Sequence, residues 1–438
     1  MKKQITRRDM LRSTALAGAG LMIVGSGGLV RGQDSPNEKI NVACIGIGGR
    51  GSANVGGVSG TGKVNMVAPC DCDDSRAGGA YKKFPSAKKY YDYHKMYDEM
   101  EDQIDAVVVS TPDHTHYDPS IRALRMGKHL YCEKPMAHSV GEARGMIDEA
   151  KKQGVVTQLG VQRHTLSNMH RVVELIKSGE IGDVTECYTW VGGSRGMPSM
   201  PTEFPPVPEG LDWDAWIGPA KMRPYTPALC PYNWRFWWDF GTGEAGNWGC
   251  HLLDIPFWAL DLKYPTRVSA VEGEPADPQR TPKQMSITFE FPARGAMPAM
   301  KQHWMHSTTG PALLAEKGLP HYGSGSLFIG TKGMLVTDFD KHVLAPEDKY
   351  KDFEYPEQSI PNSPGFYKEW TNAILGLSKE PPTCNFEYSG PLAETVLLGN
   401  VAYRVGKPFD WDAEKLVAVG VPEAEQYIRP EFYNGYKW

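Results

Sequence analysis

Ile40-Asn41-Val42-Ala43-Cys44-Ile45-Gly46-Ile47-Gly48-Gly49-Arg50-Gly51 is the stretch that decides the fold of this chain. Ile40, Val42, Ala43 and Ile45 read as a buried strand that runs straight into a Gly-x-Gly-x-x-Gly turn. Glycine there lets the backbone turn tightly and come close to a pyrophosphate, and the helix that follows offers its unpaired N–H groups to the anion. An acid, Asp71, lies twenty residues past Gly51, where it can accept hydrogen bonds from a ribose diol. The six residues Gly46, Ile47, Gly48, Gly49, Arg50 and Gly51 and the acid Asp71 are therefore expected to bind a dinucleotide.

Outward from this turn the pattern alternates strand and helix to about Gly160, as a doubly wound parallel sheet requires. Strands are expected at 40–45, 64–70, 106–110, 129–132 and 155–159. Asp118 and Pro119 open a helix that Gly127 stops, and Ser139 with Glu142 forms a capping box. The segment after the fingerprint is the weak link, because Gly56, Gly57 and Gly60 are poor helix formers. Beyond Gln162 the character changes to strict alternation, best seen in Met285, Ile287, Phe289 and Phe291. Further strands are expected at 184–190, 268–271, 300–305 and 327–336, the last folding back around Gly330 to Gly333, and helices return near Phe366 to Leu377. The fold class is α/β, a Rossmann domain over 38–162 followed by an α/β domain over 163–438 with an open, mainly antiparallel sheet. Gly192 to Pro231 reads as a long ordered excursion.

The first 33 residues stand apart. Thr6-Arg7-Arg8-Asp9-Met10-Leu11 precedes an apolar, glycine-rich run from Ala15 to Val30, the order of a twin-arginine export signal. The five glycines in that run make it a poor permanent span, so the expectation is a periplasmic or otherwise exported protein, handled by the twin-arginine machinery, with no stable membrane insertion once the signal is removed. A net charge of −5 gives no basic field for nucleic acid. The eight cysteines lack paired metal-ligand spacing and read as buried thiols. His114 and His116 invite a metal, but no third ligand is implied, and none is expected.

A second centre is Gly243-Glu244-Ala245-Gly246-Asn247-Trp248-Gly249-Cys250-His251-Leu252-Leu253-Asp254. As a helix it puts Asn247, His251 and Asp254 on one stripe, with a kink at Pro256. On pattern alone, a core histidine partnered by Asp254 is the better reading of that stripe. Glu133-Lys134-Pro135 closes an apolar run and can place an ammonium beside a bound nicotinamide. Tyr232, Trp234, Phe236, Trp237, Trp238 and Phe240 form the densest aromatic cluster, mostly core or subunit interface, with one or two free to line a pocket. Arg235 among them can bind a hydroxyl or carboxylate.

The order of the fingerprint, Ser110-Thr111-Pro112 with His114 and His116, Glu133-Lys134-Pro135 and Gly-x-His-x-x-Asp resembles that of the Gfo/Idh/MocA oxidoreductases. The signal together with Leu211-Asp212-Trp213-Asp214-Ala215-Trp216-Ile217-Gly218-Pro219 resembles their exported branch. The resemblance implies that Lys134 and His251 are the catalytic pair, with Asn247 and Asp254 beside them. It also implies that Gly46, Gly48, Gly51, Asp71, Thr111, Pro112, His116, Glu133 and Gln162 contact the cofactor, together with Ser110 and Lys134, and that the second sheet often forms a homo-oligomer contact. Arg163, Trp234 and Arg235 are the candidate substrate contacts. Many members carry Asp where Asn247 stands, and an amide cannot ionise.

The expected function is NAD(P)-dependent oxidoreduction of a carbohydrate or cyclitol hydroxyl or carbonyl, with a tightly held cofactor. NAD is favoured over NADP because Asp71, Asp73 and Asp74 repel a 2′-phosphate, although Arg50 and Arg76 weaken that preference. Two other readings remain: an NAD-dependent, redox-neutral glycoside hydrolase, and a nucleotide- or sugar-binding protein without catalysis.

Overall fold

The computed structural model describes residues 39–270 and 276–438, so the twin-arginine segment lies outside the described residues. Five parallel strands form the first sheet in the order β2-β1-β3-β4-β5: β1 Ile40–Ile45, β2 Val64–Cys70, β3 Ala106–Val109, β4 His129–Cys132 and β5 Thr157–Leu159. Every residue of β3 is buried, which is why its sequence is a continuous apolar run: both faces of a parallel sheet are covered by helices. The strand order reverses between β1 and β3, and in open α/β sheets ligands bind outside the carboxyl ends at such a point. The glycine turn after β1 and Ser110 after β3 both lie there.

The glycine-rich segment after the turn is helical over Arg50–Gly60. Low intrinsic propensity is overridden by packing: a Cβ on Gly57 would lie 2.2 Å from the ring of Tyr367, so glycine is what lets the helix Phe366–Ile374 dock against it. The capping box at Ser139 and Glu142 opens the helix Val140–Gln153. The strand expected from residue 155 begins only at Thr157.

The second sheet has nine strands, β6 Val184–Val191, β7 Arg267–Ala270, β8 Met285–Phe291, β9 Met300–His306, β10 Ser324–Gly330, β11 Met334–Thr337, β12 His342–Ala345, β13 Phe409–Asp412 and β14 Val417–Val419. Their order is β12-β11-β10-β6-β9-β8-β7-β13-β14, antiparallel throughout except for the β6–β9 pair. Alternate residues of β8 are fully buried, matching its alternating sequence. The long helix Phe386–Val405 is buried along nearly its whole length because it is covered on two sides, by Val140–Gln153 and by β7 and β8. Arg144, on the helix Val140–Gln153, grips the fully buried Glu394 through two bonds of 2.8 Å and ties the two helices together.

The excursion between Gly192 and Pro231 contains one short helix, Trp213–Ile217. Trp213 and Trp216 stack at 4.7 Å and, with Leu229, Trp234, Trp237 and Phe240, make a separate buried cluster. No helix among the described residues is long and apolar enough to cross a membrane.

Candidate active site

A cavity of about 410 Å³ opens at the switch point. Its floor is the glycine turn. Gly46 adopts φ 74°, and a Cβ there would lie 2.8 Å from the Ser110 carbonyl, so the ends of β1 and β3 approach as only glycine permits. A Cβ on Gly51 would lie 1.8 Å from the Gly46 carbonyl oxygen. The helix Arg50–Gly60 starts with no side-chain cap; the Gly51 N–H donates to the Gly48 carbonyl at 2.9 Å, and the other first-turn N–H groups are left for an anion. Gly51 and the fully buried Ile47 shape this turn from beneath, whereas Gly46, Gly48, Gly49 and Arg50 line the cavity.

Asp71 lines the cavity and braces the turn: it accepts from the N–H groups of Ile47 at 2.8 Å, Gly48 at 3.1 Å and Asp73 at 3.1 Å. Burial raises its pKa, and those three N–H groups oppose the shift. Arg76 lies against Gly48 and Gly49, where added Cβ atoms would meet it at 2.7 and 2.6 Å. Arg50 turns inward to Glu133 at 3.1 Å.

Glu133 is the hub of the far side. Its Oε1 accepts from Arg50, from Asn54 at 3.0 Å and from Gln162 at 2.7 Å. Asn54 also donates to Ser110 Oγ at 2.8 Å and accepts from the Tyr367 hydroxyl at 2.9 Å. Ser110, Thr111, Pro112, His116, Glu133, Lys134 and Gln162 all line the cavity. The ring nitrogens of His116 lie 2.7 Å from the Pro135 carbonyl and 2.8 Å from that of Thr111, and His114 Nε2 faces the Trp216 carbonyl at 3.1 Å. These nitrogens address backbone oxygens.

The segment expected as one helix kinked at Pro256 is π-helical over Ala245–Gly249, then α-helical over Cys250–Leu252 and again over Asp254–Ala259. The break redirects the stripe. Asn247 and His251 line the cavity; Asp254, fully buried, is turned away and accepts from His164 Nδ1 at 2.9 Å and the Tyr388 hydroxyl at 2.6 Å. The expectation that Asp254 belongs with the reactive groups, or partners His251, is therefore corrected: its neighbour is His164. Lys134 Nζ donates to the Asn247 carbonyl at 2.8 Å and lies 3.4 Å from its Oδ1. Asn247 Nδ2 in turn donates at 3.2 Å to Glu244, a buried carboxylate that Arg195 holds through Nε at 3.0 Å and Nη2 at 3.1 Å. A carboxylate only accepts, so Glu244 fixes the amide with its oxygen toward the ammonium.

Burial lowers the Lys134 pKa, opposed by Glu133 and Asp113. Burial, then the charges of Lys134, Arg163 and Arg50, hold His251 well below the ordinary imidazole range, so it is neutral at neutral pH. Burial pushes Glu244 up, but its bonds to Arg195 outweigh this and leave it below the usual carboxylate range. Of the candidate substrate contacts, Trp234 and Arg235 line the cavity. Arg163 does not: its guanidinium packs over Phe339 at 4.1 Å and Trp248 at 5.8 Å, and its role is corrected to a charge behind His251.

Sequence reasoning missed Asn54, Glu244, Arg195 and Tyr367. Spacing signals existed for two of them, since Asn54 follows Arg50 by one helical turn and Glu244 precedes Asn247 by three residues. Arg195 and Tyr367 come from distant segments and carry no local signal.

Two models of one family match this chain: the oxidoreductase family NAD-binding Rossmann fold over residues 40–161 and the C-terminal alpha/beta domain of the same family over 175–294, together more than half of the chain. The chain belongs to the Gfo/Idh/MocA oxidoreductase family. Inositol 2-dehydrogenase of Salmonella typhimurium is 30% identical over 146 residues, 33% of this chain and 43% of that protein. A glycosyl hydrolase family 109 protein of Solibacter usitatus is 28% identical over 203 residues, 41% and 44% of the two chains. These matches span less than half of either relative's own length. The solved WlbA dehydrogenase of Bordetella pertussis, in complex with NADH and UDP-GlcNAcA, has the same fold with a TM-score of 0.61 at 17% identity, covering 85% of this chain and 99% of that one. The glycine cradle, the uncapped helix start and Asp71 fit NAD, the dinucleotide of this Gfo/Idh/MocA fold.

Proposed function

We propose that the protein oxidises or reduces a carbohydrate or cyclitol at a secondary hydroxyl or carbonyl, using a tightly held NAD. The observation that carries this is the convergence of Lys134, Asn247 and His251 on the cavity that also holds the glycine turn and Asp71. Bound NAD supplies a hydride acceptor or donor at its nicotinamide. Neutral His251 accepts the hydroxyl proton during oxidation and returns it during reduction. Lys134, fixed by the Asn247 oxygens, places its ammonium beside the developing alkoxide in a site shielded from bulk water. Asn247 does not ionise, so proton handling rests on His251 and Lys134.

Lys134→Ala and His251→Ala are each expected to abolish turnover while dinucleotide binding and the unfolding midpoint hold; activity retained in both variants overturns the assignment. Asp71 favours NAD over NADP, and titration of both dinucleotides checks it.

A redox-neutral glycoside hydrolase is the second reading, supported by the likeness to the family 109 protein and by the Gly-Asn-x-x-x-His spacing. Product analysis separates the two: a ketone or lactone from a free sugar supports the first, an aglycone released from an aryl glycoside the second, and no product from either leaves a binding protein. Export is part of the proposal, since the twin-arginine route carries folded proteins and suits an enzyme loaded with cofactor beforehand. Cell fractionation tests it, and native mass measurement tests the expected homo-oligomer.

A further inference from the structure

Arg235 is a cation in the cavity wall that, among the described residues, has no acid within ion-pair distance, the field of Asp113 being the nearest acidic influence on it. Its planar group lies over the rings of Tyr232 at 4.4 Å and Trp234 at 4.2 Å, and Nη1 donates to the Tyr232 carbonyl at 3.0 Å. Those contacts fix the guanidinium at little entropic cost. The other arginines around the cavity are placed differently: Arg50 is paired with Glu133, Arg195 with Glu244, and Arg76 is exposed over the glycine turn. Of the acids lining the cavity, Asp71 is engaged by three backbone N–H groups and Asp113 by the N–H and hydroxyl of Thr242, at 3.1 and 2.6 Å; among the described residues none comes within ion-pair distance of Arg235. A guanidinium taken partly out of water without a carboxylate is costly, and one held rigid beside a reactive centre is matched to an anion that arrives with the ligand.

Two parts of the ligand set could bring that anion, the dinucleotide pyrophosphate or the substrate. The pyrophosphate already has Arg76 and the uncapped first turn of the helix Arg50–Gly60. Arg235 stands instead on the wall formed by Tyr232 and Trp234, with Lys134, Asn247 and His251 lining the same cavity.

We infer that the substrate is a sugar acid, whose carboxylate Arg235 binds while Lys134 and His251 address one of its hydroxyls. This rests on the oxidoreductase reading above and narrows its substrate class. The carboxylate orients the ring, Trp234 offers an apolar face to its C–H groups, and a neutral sugar leaves the guanidinium unpaired.

The test is isothermal calorimetry on the full-length, NAD-loaded protein with paired probes: D-glucuronate against D-glucose, D-galacturonate against D-galactose, D-gluconate against D-glucitol, and D-glucose 6-phosphate as a further arm. At least one acid is expected to bind about tenfold or more tightly than its neutral partner, the effect of one charged hydrogen-bonded contact. Arg235→Gln is expected to erase that ratio and Arg235→Lys to restore part of it, with NAD affinity and the unfolding midpoint within about twofold and two degrees of the parent. Three results overturn the inference: no acid preferred over its neutral partner, the phosphate preferred over every carboxylate, or Arg235→Gln weakening NAD while leaving the acid-to-neutral ratio intact. The calorimetry reads binding, not turnover, so a wild-type protein that binds acids yet performs no oxidation sinks the oxidoreductase reading alone.

Discussion

Asn247→Asp puts a carboxylate where the site holds an amide, and it is expected to destabilise the protein. The amide nitrogen it replaces lies 3.2 Å from Glu244 Oε2. Two charged carboxylates at that distance repel by ~5 kcal/mol at an effective dielectric of about 20, and the Lys134 ammonium, 3.4 Å from Asn247 Oδ1, offsets part of this while it stays protonated. One of them escapes by binding a proton, which at pH 7 costs an acid of pKa near 3.9 about 4 kcal/mol and at pH 5 about 1.5 kcal/mol, so protonation caps the penalty. The shared acid has a raised folded-state pKa. Its contribution is intact below the unfolded pKa and is lost as pH rises through the folded value. The variant is therefore expected to lose more stability at pH 8 than at pH 5, up to about 4 kcal/mol near neutrality. Glu244→Gln combined with Asn247→Asp relieves the repulsion, since the glutamine amide donates to the new carboxylate while its oxygen still accepts from Arg195. Urea unfolding of the wild type, both single variants and the double variant at the two pH values measures the cycle. An Asn247→Asp protein as stable as the parent at pH 8, or a double variant no better than the single one, refutes the reasoning.

Gly51→Ala places a Cβ 1.8 Å from a backbone oxygen, where no flexible group can yield, and is expected to cost at least the ~1–3 kcal/mol of an overpacked core and to weaken NAD binding, read by unfolding and by fluorescence titration. Asp254→Asn leaves one acceptor oxygen where His164 Nδ1 and the Tyr388 hydroxyl now share two; a stability loss of about 1–3 kcal/mol is expected with KM unchanged in the residual folded enzyme. The depressed His251 pKa predicts a pH profile of kcat/KM with no imidazole limb between pH 6 and 8, and the lowered Lys134 pKa predicts that activity falls on the alkaline side; an acid limb near 6.5 contradicts this. Burial holds His114 near 3 and His129 near 4, so their contribution to stability is present above about pH 6.5 and is lost as pH falls through those values. His129→Asn, which keeps an acceptor for the Val156 N–H at 2.9 Å, is expected to flatten the acid-side slope of stability by one proton.

Local chemistry made much of the site legible. A turn that needs glycine announces itself, because at Gly46 the backbone combines φ 74° with a 2.8 Å approach of Ser110 that leaves no room for a Cβ, and Asp71 follows at the distance one β-α-β step dictates. Strand and capping signals are likewise short-range, as with the alternation of Met285–Phe291 and the box at Ser139. The helix after the fingerprint was harder, since its glycines argue against it and only the Tyr367 ring, over three hundred residues away, explains Gly57.

By itself the sequence determined the order of strands and helices and the dinucleotide turn, which depend on residues close together in the chain, while Lys134 and His251 stood out as a reactive pair only through the order of motifs shared with a family. Tertiary structure alone decided which of those groups meet. The π-helical turn at Ala245–Gly249 and the break at Leu253 set Asn247 and His251 apart from Asp254, and the pairings Arg195–Glu244, Asn54–Glu133 and Arg163–Phe339 join segments up to 176 residues apart. A periodicity reports which face a residue occupies on an ideal helix, whereas a partner is set by how sheets and helices pack, and packing is a property of the whole chain.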